Sequence, residues 1–370
     1  MKKIAIDLTW VRHNQVGGTE SYIRNILKGI NVLNPSDIKI VLIMSASNAD
    51  TFDAYNADCF EKLVYEVDSS VQLKRVIWQN IKLGRILKQN HIDTLFEPIY
   101  SIPFFGTKGI RVISTIHDLQ ALHYPEYFSS LRVLWMRFNW NHTVRHADRI
   151  IAISDYVRND IIQRLKANPD KVVAIHNAID IDVNNCASKS VLDKYGVKEG
   201  EYYYTVSSLL PHKNLNTLLL TLNELKKRNS SALFPLIISG VGGKSKAEIL
   251  DLAKKLNLED YVIITGFVEE NERNRLYKSC KVFLFPSVFE GFGMPPIEAM
   301  VLGAPVLTTK CTSLEEVTKG KANYVSNPKD PKEWADMISS NISSRNSSDF
   351  LEFYSIKKVA KEYLQLLCTD

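Results

Sequence analysis

Short runs of β-branched and aromatic residues alternate with amphipathic segments along this chain, and the alternation stops once and restarts. In the first half, residues 4–6, Ile38–Met44, Leu63–Val67, Thr94–Phe96, Val112–Ile116 and Ile150–Ile153 read as strands, followed by Val172–Ile175. Helical patterns such as Thr19–Leu33 and Val71–Gln89 fill most of the gaps. Strands without strict in–out alternation, separated by helices, imply a parallel sheet covered on both faces. After an irregular stretch the pattern begins again with strands Tyr202–Val206, Pro235–Ser239, Tyr261–Ile264 and Lys281–Phe285. Between and after them lie helical patterns at Asn214–Lys227, Lys246–Leu256, Glu269–Ser279 and beyond Pro296. The economical fold class is α/β, with two doubly wound parallel-sheet domains and a cleft between them. The expected bounds are 1–178 for the first domain, 179–200 for a linker and 201–349 for the second.

A length of 370 residues suits two cores of this kind. The net charge of +5 is too mild to imply a nucleic-acid partner. Cysteines 59, 186, 280, 311 and 368 are odd in number and scattered, which fits a reducing cytoplasm without a disulfide frame or zinc site. Met1-Lys2-Lys3 opens like a secretory segment, but Asp7 interrupts the apolar run, so no signal peptide is expected. No stretch approaches the roughly 20 apolar residues of a membrane span. The expected location is cytoplasmic, with any membrane contact peripheral.

Gly240-Val241-Gly242-Gly243-Lys244-Ser245 follows a strand and precedes a helix, so it invites comparison with phosphate loops. A Walker loop needs glycine where Ile238 stands, and a dinucleotide fingerprint needs a small third residue that Ser245 barely supplies. It reads as a glycine-rich turn. More demanding is Phe285–Met300, FPSVFEGFGMPPIEAM, which leaves a strand, crosses a loop with two glycines and two prolines, and enters a helix. Glu290 falls at the C-terminal end of that strand, where open α/β sheets bind ligands. Gly291 and Gly293 permit backbone conformations that let the amides of Phe292, Gly293 and Met294 turn outward. Pro296 suits a helical first turn, whose free N–H groups attract anions. Glu298 in that turn is equally explained by the helix dipole alone. Capping explains neither Glu290 nor the paired glycines and prolines, and two carboxylates at the edges of a phosphate-ready nest suit sugar hydroxyls.

The string Glu290–Met300, followed by Gly303-Ala304-Pro305-Val306, resembles the signature of retaining glycosyltransferases of family 4. The same resemblance extends over Gly17-Gly18, His117-Asp118, Ile153-Ser154-Asp155, Asn177–Asp180, Pro211–Leu215 and Gly266-Phe267-Val268, in the family's order. It implies the GT-B fold, two Rossmann-like domains facing a central cleft, with residues 350–370 forming a terminal helix that returns to the first. By resemblance Glu290 faces the donor sugar and Glu298 accepts hydrogen bonds from the nucleotide ribose. The backbone from Phe292 to Pro295 runs beside sugar and diphosphate, with Phe267 and Val268 beside the base. Lys213 neutralises the diphosphate, Gly17 and Gly18 lie against the same phosphates, and His117 covers the sugar. Two departures stand out: His212 occupies a position that is arginine in many relatives, and Ser207-Ser208 replaces a Gly-Arg pair found in some. Histidine lacks the fork geometry and permanent charge of arginine, which shifts the clamp onto Lys213 and backbone amides.

The resemblance further implies transfer of a hexosyl group, mannosyl from GDP-mannose by preference, from a nucleoside diphosphate sugar to a lipid-linked saccharide in surface polysaccharide synthesis. Glucosyl, rhamnosyl and N-acetylhexosaminyl transfer stay open, as does a non-catalytic scaffold of the same fold. No Asp-x-Asp motif occurs, so neither metal nor other cofactor is expected. Segment 71–89 carries Lys74, Arg75, Lys82, Arg85 and Lys88 and no acid, and 131–149 carries Arg132, Trp135, Arg137, Trp140 and Arg145. Each basic residue near an anionic leaflet contributes about 1 kcal/mol, so these two segments are the expected peripheral inner-membrane contact, with packed or solvated helix faces as the alternative.

Overall fold

A computed structural model of the chain describes residues 1–13, 17–340, 342–343 and 349–369. Its contacts divide the chain into two compact units, Met1–Asp180 with Glu352–Asp370, and Ile181–Leu351.

The first unit is built on a seven-stranded parallel sheet: β1 (Lys2–Asp7), β2 (Ile38–Ser45), β3 (Phe60–Tyr65), β4 (Thr94–Glu97), β5 (Arg111–Ile116), β6 (Arg149–Ala152) and β7 (Val172–Ala174). Their order is β3-β2-β1-β4-β5-β6-β7, so the winding reverses between β1 and β4. β2 and β4 are buried along almost their whole length, as strands covered on both faces must be. The C-terminal helix Ile356–Cys368 belongs to this unit and packs on the helix Gly18–Leu33. Gly29 makes that crossing possible, because a Cβ there would collide with the Ile356 carbonyl and the Ala360 methyl. Tyr22 and Tyr363 join the two helices through their hydroxyls at 2.8 Å. Residue 370 of the expected terminal helix lies outside the described residues.

The second unit repeats the design with six strands: β8 (Tyr203–Val206), β9 (Leu236–Ser239), β10 (Val262–Gly266), β11 (Val282–Phe285), β12 (Val306–Thr309) and β13 (Asn323–Val325). The order β10-β9-β8-β11-β12-β13 reverses between β8 and β11, the point at which such sheets take ligands.

Three details depart from the sequence expectations. β12 and β13 had no strand signal, being four and three residues long. β3 begins three residues before the expected Leu63. The stretch expected as a linker, from 181 onward, folds onto the second unit: Asn274 donates to the carbonyls of Asp182 and Asn185, Arg275 to that of Ala187, and Lys189–Tyr195 forms a short helix. The five cysteines are free thiols. No described helix is long and apolar enough to cross a membrane.

Candidate active site

In the second unit, two loops beyond the C-terminal ends of β8 and β11 are tied together. Val288 N–H and the Ser287 hydroxyl both donate to the His212 carbonyl, at 2.8 and 3.1 Å. The Asn214 amide donates to the carbonyls of Pro286 and Pro328, at 3.2 and 2.8 Å. This brings Lys213 and Glu290, 77 residues apart, into an ion pair with Nζ 2.7 Å from Oε1. The Lys213 and Glu290 side chains keep 20% and 12% exposure, so the pair is dry enough to be firm and open enough for a ligand to reach.

His212 is buried next to this pair. Burial first, then the Lys213 charge, pull it down to about 4, with Glu290 opposing. It is therefore neutral at physiological pH, and the expectation that it helps bind the diphosphate cannot rest on charge.

The loop that carries Glu290 is held by Thr312 and Ser313. The Thr312 hydroxyl accepts from Glu290 N–H at 2.9 Å and contacts the Glu290 carbonyl at 2.8 Å, while Ser313 donates to the carbonyls of Glu290 and Phe292. Thr312 adopts a positive φ of 56°, costly for a β-branched residue, and these bonds offset the strain. Gly293 stands at φ 94°, a conformation that strains any side-chain-bearing residue, and a Cβ there would also push on Leu314 Cδ2 at 2.6 Å. It caps the helix Met294–Val301, which opens with Pro295 and Pro296 and receives no side-chain cap. Pro295 and Pro296 carry no N–H, so the positive end of this helix is presented through the Met294 amide.

Glu298, in that helix, accepts from the Tyr277 hydroxyl at 3.1 Å. Burial, reinforced by the Glu298 charge, pushes Tyr277 well up, so it stays protonated and can donate. Burial works against the charge of Arg273, one helical turn before Tyr277, but Glu298, Tyr277, Tyr204 and Glu270 together more than offset it. Arg273 Nε is buried without a partner among the described residues. Phe267, past the end of β10, is 86% exposed, and Val268 beside it is half-buried. Gly240, in the rejected phosphate loop, is a tight turn, since a Cβ would lie 2.6 Å from the Ser207 carbonyl oxygen.

In the first unit, His117 follows β5. Its Nε2 lies 2.8 Å from the Pro98 carbonyl, and Tyr22 meets its ring edge-on at 4.7 Å. Burial pulls it down to about 4 against that hydrogen bond. A neutral imidazole beside a carbonyl must carry its proton on Nε2, leaving the Nδ1 lone pair to accept from a ligand hydroxyl. Gly17 and Gly18 begin the helix Gly18–Leu33, and an added Cβ at either would touch nothing within 4 Å among the described residues. Packing does not require glycine at these two positions.

Sequence reasoning named Lys213, Glu290 and Glu298 but missed the residues that hold them: Thr312, Ser313, Tyr277 and Arg273. Only the i,i+4 spacing of Arg273 and Tyr277 offered a signal.

Residues 16–183 match the family described as Glycosyltransferase Family 4, and residues 191–357 that described as Glycosyl transferases group 1. Among curated relatives, O-antigen chain mannosyltransferase B of Escherichia coli is 31% identical over 63% of this chain and 60% of its own length. O-antigen chain mannosyltransferase RfbU of Salmonella typhimurium is 27% identical over 76% of this chain and 78% of that protein. A Campylobacter jejuni enzyme named as an N-acetylgalactosaminyltransferase acting on a saccharide-diphospho-undecaprenol is 31% identical over 62% of this chain and 60% of its own. Among solved structures, HepE of Anabaena in complex with UDP-glucose superposes with a TM-score of 0.73 at 19% identity, over 99% of both chains. The chain belongs to the glycosyltransferases of family 4, and its fold is GT-B.

Proposed function

We propose that the chain transfers a mannosyl group, with retention, from GDP-mannose to a lipid-linked saccharide during surface polysaccharide synthesis. The observation that carries this reading is the Lys213–Glu290 pair at 2.7 Å beside the uncapped helix Met294–Val301. A diphosphate arriving there finds one cation and the backbone amides of Gly293 and Met294 at the helix start, and a sugar attached to it meets Glu290. As the anomeric C–O bond breaks, Lys213 and the amides stabilise the charge on the departing diphosphate. The acceptor oxygen bonds to the same face of the anomeric carbon, and its proton passes to a leaving phosphate oxygen. Glu298, fixed by Tyr277, takes the ribose hydroxyls, and Phe267 offers a face to the base. Lys213 and the helix amides supply the charge stabilisation that a metal gives in other transferases, so we propose turnover without one.

The mannosyl choice is supported by the names of two relatives, and a lipid-linked acceptor by the third. A peripheral membrane contact is supported by exposed Ile77, Ile81, Leu134 and Phe138 in segments rich in lysine and arginine.

The test offers the purified protein GDP-, UDP-, dTDP- and ADP-sugars with EDTA present, followed by thermal shift and slow nucleoside diphosphate release. GDP-mannose alone should stabilise and be hydrolysed, and Glu298→Ala should abolish both. Response to another donor would replace the sugar, and response to none would leave a non-catalytic scaffold.

A further inference from the structure

The donor site leaves unused a groove in the first unit. It has a volume of about 490 Å³ and runs between the helices Gln72–Trp78 and Ser130–His146. Leu73, Val76, Leu131 and Trp135 give it apolar walls, Gln72, Tyr100 and Arg132 supply its polar groups, and no acid lines it. Leu73 and Leu131 on opposite lips are 68% and 81% exposed, an unusual outlay of apolar surface on facing elements.

Beside the groove the helix Gln72–Trp78 is anchored by a buried polar cluster. Asp7, the last residue of β1, and Glu97, the last of β4, meet at the reversal of the sheet, both buried. The Gln79 amide reaches Asp7 Oδ2 at 3.3 Å, Glu97 Oε1 at 3.0 Å and the Ser101 carbonyl at 3.4 Å. Residues Gln79–Leu83 form a π-helical stretch, a wide turn that often marks a functional site. It lets Gln79 turn inward while Leu73 and Ile77, a few residues earlier, face solvent. Arg75 lies on the anchored helix, half-buried, where Asp7, Glu97 and Tyr100 support its charge against burial. The Tyr100 hydroxyl is under the influence of Arg132 and Arg75 together. Among the groove's lining residues the cation is Arg132, beside Tyr100, and the fork geometry of a guanidinium suits phosphate oxygens.

We propose that this groove seats the polyprenyl diphosphate carrier of the acceptor, its chain against Leu73, Val76, Leu131 and Trp135 and its phosphates at Arg132. The proposal rests on the lipid-linked acceptor of the preceding section. A concave trough favours a single inserted chain over a flat bilayer surface, and its acid-free lining favours an anion.

Trp135 in the wall is a built-in reporter. The full chain is titrated with farnesyl diphosphate, inorganic pyrophosphate and farnesol while Trp emission is followed, with Trp135→Phe identifying the signal. Farnesyl diphosphate should saturate at a concentration about tenfold or more below either fragment, since chain and phosphates each add affinity. Arg132→Ala should weaken farnesyl diphosphate by about tenfold and leave farnesol unchanged. Leu131→Glu, at an exposed position that folding does not need, should weaken both prenyl probes. Farnesyl diphosphate binding no tighter than pyrophosphate, or indifferent to both variants, would overturn the assignment. So would phosphatidylglycerol vesicles that take the whole Trp135 response without competition from farnesyl diphosphate. GDP binding by thermal shift in the same preparations keeps the two readings apart. GDP bound with farnesyl diphosphate ignored removes the groove alone, whereas the converse removes the donor site and keeps the groove.

Discussion

Where the first sheet reverses, between β1 and β4, the strand ends carry two carboxylates closed over by Gln79, and none of Asp7, Glu97 and Gln79 is more than 5% exposed. Where the second reverses, between β8 and β11, the loops carry a lysine and a glutamate that remain partly exposed beside an uncapped helix. The topology is the same at both points, but one crevice is sealed by its own side chains and the other is left for a ligand. A fold supplies a position for binding, and whether the position is used depends on which polar groups stay unsealed. Charge balance separates them too: the first reversal concentrates acids, whereas the second pairs an acid with the cation that a diphosphate would take over.

The hardest test of this contrast is Lys213→Ala. If Lys213 is the cation that meets the departing diphosphate, turnover should fall by roughly a hundredfold or more, by the measure of lost oxyanion donors. Steady-state rates with saturating donor check it, and a rate near wild type would remove Lys213 from the clamp. A smaller effect is expected from Thr312→Val, which keeps the shape and the positive φ but loses both hydrogen bonds to the Glu290 backbone. Stability should drop by about 1–2 kcal/mol, read from denaturant midpoints. The catalytic efficiency should drop with it, because the loop that presents Glu290 loses its tether. A variant as stable as wild type would mean that Thr312 gains nothing from its strained conformation.

Legibility in the sequence follows the same division. The Phe285–Met300 loop could be read because strand end, glycines, prolines and helix start all lie within one local stretch. Thr312 could not, since its partner is 22 residues away and reaches it only through β12, a four-residue strand with no periodic signal. Asp7 and Glu97 look like ordinary polar strand ends, and only the sheet order, which sets β1 beside β4, makes them a buried pair. The 181–200 stretch looked like a linker because side chain-to-carbonyl bonds from Asn274 and Arg275, not periodicity, fasten its first part.

The sealed acids make a prediction with a definite sign. Burial, with the Asp7 charge added, raises Glu97 well above its ordinary value. A raised acid binds its proton more tightly when folded, so wild-type stability is free of this cost below the unfolded carboxyl range and loses ground as pH rises. Glu97→Gln keeps an oxygen for Gln79 and never ionises. It should gain on the order of 1 kcal/mol at pH 8, a few degrees in Tm, and the gain should shrink toward pH 4.5. Thermal melts of both proteins across that range check it, and a variant less stable at every pH would show that Glu97 is needed as an acid.

The smallest effect concerns His212, which stands where the resemblance leads one to expect an arginine. With its imidazole pulled to about 4 by burial and Lys213, it is already neutral throughout the range from pH 6 to 8. Its depressed value costs stability only as pH falls from the ordinary histidine range toward 4, because the unfolded chain takes up the proton first. His212→Gln should therefore change the catalytic efficiency by less than about threefold, as expected for replacing one neutral group by another. Its pH profile should keep the same shape between 6 and 8. An acid limb near pH 6.5 present in wild type and lost in the variant would mean that His212 binds donor as a cation after all. The second crevice would then hold two positive groups, and its contrast with the acidic first one would be sharper than the ligand-free geometry conveys.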